Sequence, residues 1–357
     1  MNIEKLSSML AQLSPLKVNS SACSRAITPK SACTKCEDVC PNNAIIFNKD
    51  QLTIAQCLYC GKCVTACPND VFRLELNLKT ADNTLFFSCS PYLDQFKKID
   101  KSAPICRCNC LSQLHPELLV NLLAHKQRLI FFLDSSQCQQ CFAFSLDALY
   151  QNLKVYSKAW PDLLQDKFII IKKPDELNSY LQQCSIDNMV DESRRHLFHQ
   201  MFQSAKVMPA KVASNTLDKF KDQNDHVQFT VPLGLSVRKH YLKTACQSQP
   251  PAHPDAPLPF KTLRASDCIF CGVCHRLCPT GAMQQRQKDG LEQLIYAPHL
   301  CNHCDICTTV CYPQALKWQE PLTAQDLAEK TIYLIAKGHK PTPPKSTFTA
   351  GGFQSER

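Results

Sequence analysis

Apolar and polar positions divide the chain into stretches of different character. Ile3, Leu6, Leu10 and Leu13 recur at helical spacing and predict a short amphipathic helix over residues 2–13. Its polar face lacks the Lys/Arg enrichment of membrane-surface helices, so packing on the adjoining domain is the expected role. Residues 44–47 and 52–54 flank Asn48-Lys49-Asp50 and read as a hairpin. From residue 84 to about 184, short apolar runs at 85–87, 129–133 and 168–171 alternate with helical stretches around 116–125 and 141–153. That alternation predicts a small α/β domain with a mostly parallel sheet. Met189, Val190, Leu197, Phe198, Met201 and Phe202 form a helical stripe that reads as core, with His196 and His199 along it. Val227, Phe229 and Val231 alternate like an edge strand ended by Pro232. Residues 247–260 hold five prolines and predict a stiff linker, and the Pro, Thr, Ser and Gly of the tail from Gly338 predict disorder.

Cysteine changes this picture. Of the 24 in 357 residues, sixteen fall into four short runs. Cys57, Cys60, Cys63 and Cys67-Pro68 are separated by two, two and three residues. The same spacing recurs at Cys268, Cys271, Cys274 and Cys278-Pro279, and at Cys301, Cys304, Cys307 and Cys311, where Tyr312 displaces the proline to Pro313. A fourth run, Cys33, Cys36 and Cys40-Pro41, has Lys30 where its leading cysteine would fall, and the nearest upstream thiol is Cys23. Three closely spaced thiolates can wrap one corner of an inorganic cluster, while the fourth, ahead of proline, is carried toward a neighbouring one. Gly61 and Gly272 allow close backbone approach in their turns.

These runs resemble those of bacterial two-cluster ferredoxins, over about residues 20–76 and again over about 262–320. The resemblance implies two β-α-β halves around a pair of [4Fe-4S] clusters in each region. Cross-ligation assigns Cys23, Cys33, Cys36 and Cys67 to one cluster and Cys57, Cys60, Cys63 and Cys40 to its mate. Near the C-terminus it assigns Cys268, Cys271, Cys274 and Cys311 to one, and Cys301, Cys304, Cys307 and Cys278 to the other. Cys23 either loops back as fourth ligand or leaves a three-iron cluster.

Six more thiols lie at expected strand ends, namely Cys89, Cys106, Cys108, Cys110, Cys138 and Cys141. Loops after the carboxyl ends of parallel strands commonly hold ligands. The Phe-Ser-Cys89 strand end, Cys110 followed by Leu-His-Pro-Glu, and Cys138-Gln-Gln-Cys141 after an apolar strand resemble the iron–sulfur delta subunit of methyl-viologen-reducing hydrogenases. That resemblance implies a two-iron [2Fe-2S] cluster on Cys89, Cys110, Cys138 and Cys141. The family's glycine-rich stretch before the last cysteine pair is missing here. Structural zinc and buried or redox-reactive thiols are the competing readings. Cys184 and Cys246, with no partner at ligand spacing, read as buried small hydrophobes.

The net charge of +9 suggests nucleic acid until clusters are counted. Four oxidised cubanes, each about −2 with its thiolates, bring the total to roughly +1, and the Lys and Arg are scattered. Nucleic acid is therefore not an expected partner. Arg238, Lys239, His240 and Lys243 make one basic cluster, read as a solvated face or a site for an acidic redox protein, and His275 and His303 read as solvent-facing loop residues. With eight glycines and no dinucleotide fingerprint or phosphate loop, no flavin or NAD site is expected. No secretory signal or membrane-spanning run is expected, peripheral membrane association stays open, and the thiol count suits a reducing cytoplasm.

The expected fold is α+β, with two ferredoxin-like double-cluster modules flanking a small α/β domain. Its boundaries are an N-terminal module with leading helix at 1–83, the central domain at 84–190, a helix and linker at 191–261, a C-terminal module at 262–337 and a tail at 338–357. The expected function is a cytoplasmic relay of single electrons between a redox donor and acceptor such as a dehydrogenase, hydrogenase or reductase. The alternative is an accessory or assembly factor for a larger formate dehydrogenase or hydrogenase type enzyme. No nucleophile–base constellation marks the chain as an enzyme by itself.

Overall fold

The apolar run Leu85-Phe86-Phe87 is completely buried in a strand at the centre of the largest sheet among the described residues. The computed structural model describes residues 15–48, 51–100, 102–141, 144–184 and 237–339. The expected helix at 2–13, the centre of the 48–50 turn, the 189–202 stripe with its two histidines, the 227–231 strand and the tail from residue 340 lie outside them. The described residues form a mixed α and β structure with several small sheets.

Near the N-terminus, β1 (Leu16–Val18) pairs antiparallel with β4 (Phe72–Leu74), and β2 (Ile45–Asn48) with β3 (Gln51–Ile54). Leu16, Ile45, Val71 and Phe72 make a small core between these ribbons, with cysteines packed on it. The central sheet follows. The short β5 (Thr80–Ala81) turns antiparallel into β6 (Thr84–Cys89), and β7 (Ile105–Cys108), β8 (Arg128–Phe132) and β9 (Phe168–Ile171) run parallel to it in the order β7-β6-β8-β9. A sheet covered on both faces needs continuous apolar strands, and β6 and β8 have them. The Phe87 and Phe131 rings stack across neighbouring strands at 5.2 Å.

The helix Pro116–Ala124 starts with proline at its first turn, where no N–H is needed, and residues 117–124 are all buried. A helix buried around its whole circumference needs cover on every side. The helix Val237–Ser248 supplies it from far along the chain. The helical stretch expected at 141–153 is two helices, Ser135–Cys141 and Leu146–Tyr156. The break follows from Ser145, whose hydroxyl accepts the Ala148 N–H at 3.0 Å and caps the second helix.

The proline-rich stretch is no free linker. Trp160 Nε1 donates to the Gln249 carbonyl at 2.7 Å, His253 N donates to Ala159 O at 3.2 Å, and Ala256, Leu258 and Phe260 are buried in the central core. Apolar residues between the prolines find a hydrophobic surface, which outweighs the stiffness of the local sequence. Beyond it, β10 (Pro257–Ala265) pairs antiparallel with β13 (Leu316–Thr323), and β11 (Met283–Lys288) with β12 (Leu291–Tyr296) around the Asp289-Gly290 turn. Both turn residues have positive φ, as a tight hairpin of this hand requires. β14 (Tyr333–Gly338) joins β12, and Leu322, Ala324 and Leu327 return to the central core. Among the described residues no helix is long and apolar enough to cross a membrane.

Candidate metal centres

In three of the four cysteine runs the backbone does the same thing. The residue before the second cysteine has positive φ, at 53° for Tyr59, 51° for Phe270 and 59° for His303, and so does the residue after it, at 80° for Gly61, 76° for Gly272 and 63° for Asp305. Aspartate tolerates this conformation better than most side chains, which lets it stand where the other two runs use glycine. The alternation turns N–H groups inward. Tyr59 N donates to Cys57 Sγ at 3.3 Å, Phe270 N to Cys268 Sγ at 3.4 Å and His303 N to Cys301 Sγ at 3.4 Å. Such a concave array of donors favours anionic sulfur. The turn after the last cysteine also repeats, with Asn43 N bonded to Cys40 O, Gly281 N to Cys278 O and Gln314 N to Cys311 O. The displaced Pro313 therefore leaves that turn intact.

The first run uses a different device. Cys23 caps the short helix Ser24–Ile27, and Arg25 stitches the intervening loop. Its Nε donates to Cys33 O at 2.7 Å, its Nη2 meets Glu37 at 2.6 Å, and its guanidinium lies 4.0 Å over the Phe47 ring. Cys23 thereby reaches the same hollow as Cys33, Cys36 and Cys67.

Cys40, Cys57, Cys60 and Cys63 line a second hollow, and Cys278, Cys301, Cys304 and Cys307 a third. Cys268, Cys271, Cys274 and Cys311 form a fourth group, in which Cys274 is pushed up to about 12 by burial and by its three companions. We name these the Cys36, Cys60, Cys304 and Cys274 sets. Each takes three thiols from one segment and a fourth from the partner run. Burial and neighbouring thiolates likewise push Cys36 and Cys63 up to about 12. Four thiolates this close repel one another, so they coexist only around a cationic core. Among the described residues no three His, Cys, Asp or Glu converge as ligands of a single ion would. A tetrahedral zinc needs sulfurs about 3.8 Å apart. In three of the four sets the thiols line a hollow, as ligands around a multi-iron core would.

The central domain gathers a fifth group. Cys89 ends β6, Cys110 follows β7, and Cys138 and Cys141 lie on the helix after β8, all at the carboxyl edge of the parallel strands. They line a hollow with Tyr92, Asp134 and Phe144. In this Cys138 set, Cys138 is pushed up to about 11 by burial, then by Cys89, Cys110 and Cys141. The other two central thiols are core residues. Cys106 Sγ accepts the Lys79 N–H at 3.2 Å, and Cys108 Sγ donates to Ser88 O at 3.5 Å. Cys184 and Cys246 are buried in the main core.

The basic cluster is not a solvated face. Arg238 Nη2 lies 2.6 Å from Glu117, whose side chain is 1% exposed, and Tyr156 Oη donates to the same carboxylate oxygen at 2.8 Å. Lys239 is fully buried, its ammonium 3.9 Å from the Phe260 ring centroid, and burial pushes it down to about 7 against the pull of the Cys301 thiolate. The only trace in the sequence is a single acid opening an otherwise apolar helix. His303 is also not a free loop residue. It stacks on Trp318 at 4.8 Å and its Nε2 meets Lys261 O at 2.8 Å, and burial pushes it down to about 3.

Residues 262–284, which carry Cys268, Cys271, Cys274 and Cys278, match the family model for a 4Fe-4S binding domain. The chain therefore holds at least one [4Fe-4S] cluster and is an iron–sulfur protein. No curated protein and no solved structure matches it.

Proposed function

We propose that the chain is an electron-transfer protein built from two ferredoxin-like double-cluster modules around an α/β domain, with four [4Fe-4S] clusters on the Cys36, Cys60, Cys304 and Cys274 sets. The observation that carries this reading is the exchange of fourth thiols within each module, Cys67 for Cys40 and Cys311 for Cys278. A bound iron–sulfur core supplies one-electron exchange, and the protein sets its position and surroundings. Here the backbone N–H groups of Tyr59, Phe270 and His303 stabilise sulfur charge, and the apolar walls exclude water. On the same reading the Cys138 set holds a fifth, two-iron centre, and the partners are a donor and an acceptor protein in a reducing compartment.

Anaerobic iron and sulfide quantitation with electron paramagnetic resonance tests this. About sixteen irons are expected for four cubanes, and about eighteen with the fifth centre. Colourless protein carrying zinc would overturn it.

A further inference from the structure

The loops around the five thiol sets touch one another in a particular sequence. The Cys274 and Cys304 sets share a module. Their helices Val273–Arg276 and Ile306–Val310 pack together. The Cys304 loop then meets the opposite module. Lys35 Nζ, beside Cys36, lies 2.9 Å from Asp305 and 3.5 Å from His303 O, and Asn302 Nδ2 donates to Asn69 Oδ1 beyond Cys67. Within the N-terminal module the helices Lys35–Asp38 and Lys62–Ala66 pack together, joining the Cys36 and Cys60 sets.

Finally, the Cys60 loop sits directly on the loop that follows Cys110. A β-carbon at Gly61 would stand 2.8 Å from the Gln113 α-carbon, and Thr65 Oγ1 donates to Ser112 O at 3.2 Å. Glycine at 61 answers two demands at once, a φ of 80° and a close backbone approach. Of the 24 cysteines only Cys271 and Cys141 are exposed. They belong to the Cys274 and Cys138 sets.

We infer that the five sets stand in one row whose order differs from their order in sequence: Cys274, Cys304, Cys36, Cys60, Cys138. The Lys35–Asp305 and Asn69–Asn302 contacts form its middle junction and the Gly61–Gln113 contact its last. The row rests on the reading of these sets as iron–sulfur sites. Its two ends, where Cys271 and Cys141 meet solvent, are the places for redox proteins to dock, and Ile269 and Tyr312 add exposed apolar surface at the Cys274 end.

Two measurements on the full-length holoprotein test the row separately from the cluster reading. Carbodiimide treatment should join Lys35 to Asp305 by an isopeptide bond found in a peptide map, and Lys35→Arg should abolish it. Lys35 modified without joining Asp305 would overturn the middle junction whatever the iron content. In the partly reduced protein, Cys138→Ser/Cys141→Ser should remove one paramagnetic signal and narrow only the signal of the Cys60 set, itself identified through Cys57→Ser. Narrowing at the Cys274 or Cys304 set instead would overturn the order. An iron count unchanged by the double substitution would remove the fifth centre and with it the last place in the row.

Discussion

Arg238 and Glu117 are 121 residues apart in sequence, yet the guanidinium reaches one carboxylate oxygen through both Nε, at 3.0 Å, and Nη2, at 2.6 Å. The pair pins the helix Val237–Ser248 to Pro116–Ala124 inside the core. Breaking a buried pair strands the remaining charge and costs about 3–5 kcal/mol. Arg238→Met should lower stability to urea by that amount, and adding Glu117→Gln should restore most of it.

His115, 7% exposed at the start of the same helix, is pushed down to about 4 by burial, with Arg238 acting the same way and Glu117 opposing. The unfolded chain takes up this proton near pH 6.5 and the folded chain only near 4, so the unfolded state binds more protons in between. Stability is then full above about pH 6.5 and falls on acidification toward 4, by roughly 3 kcal/mol from this group. Denaturation curves across that window should show the slope, and His115→Gln should flatten it.

Gly61 and Gly290 both have positive φ, at 80° and 73°, but an added methyl would meet a neighbour within 4 Å only at Gly61 of the two. Alanine at 290 should cost about 1 kcal/mol for the backbone alone. Alanine at 61 should cost about 3 kcal/mol, since it also pushes into Gln113. The difference between the two thermal shifts measures the contact.

Cys23 reaches the Cys36 set through the Arg25 clamp. Cys23→Ala should leave three thiols there and lower the iron content by about one per chain, with a three-iron paramagnetic signal in the oxidised protein. Arg25→Ala should make that iron labile without removing the thiol.

Lys239 buries an amine in the core near Cys301, and because burial pushes it down to about 7 it carries its full positive charge only below that pH, where the comparison is made. Lys239→Met keeps the stem and removes the charge, which should lower the reduction potential of the Cys304-set centre by on the order of tens of millivolts. A redox titration followed by paramagnetic resonance should show the other centres unmoved.

Ligand spacing is local, so the four runs can be grouped from sequence alone. The structure brings Cys23, Cys33, Cys36 and Cys67 to one hollow despite the missing thiol at Lys30. The apolar run at 129–133 is equally legible, because a strand buried on both faces shows in its own composition, and the run at 168–171 joins it as an edge strand that is buried only in part. What cannot be read depends on distant partners. Nothing near Lys239 announces that Phe260 will cover it, nor does the proline-rich stretch announce that Leu258 and Phe260 face a core made mostly of residues 78–184. Cys106 and Cys108 look like ligands beside Cys110. Pairing of β6 with β7 instead turns them toward Lys79 and Ser88.

The return of Leu322, Ala324 and Leu327 to the central core also bears on synthesis. A ribosome releases the middle of this polypeptide before those residues emerge, so the nascent central core waits incompletely covered until they arrive. A chain cut before residue 322 would leave that apolar core open and prone to aggregation.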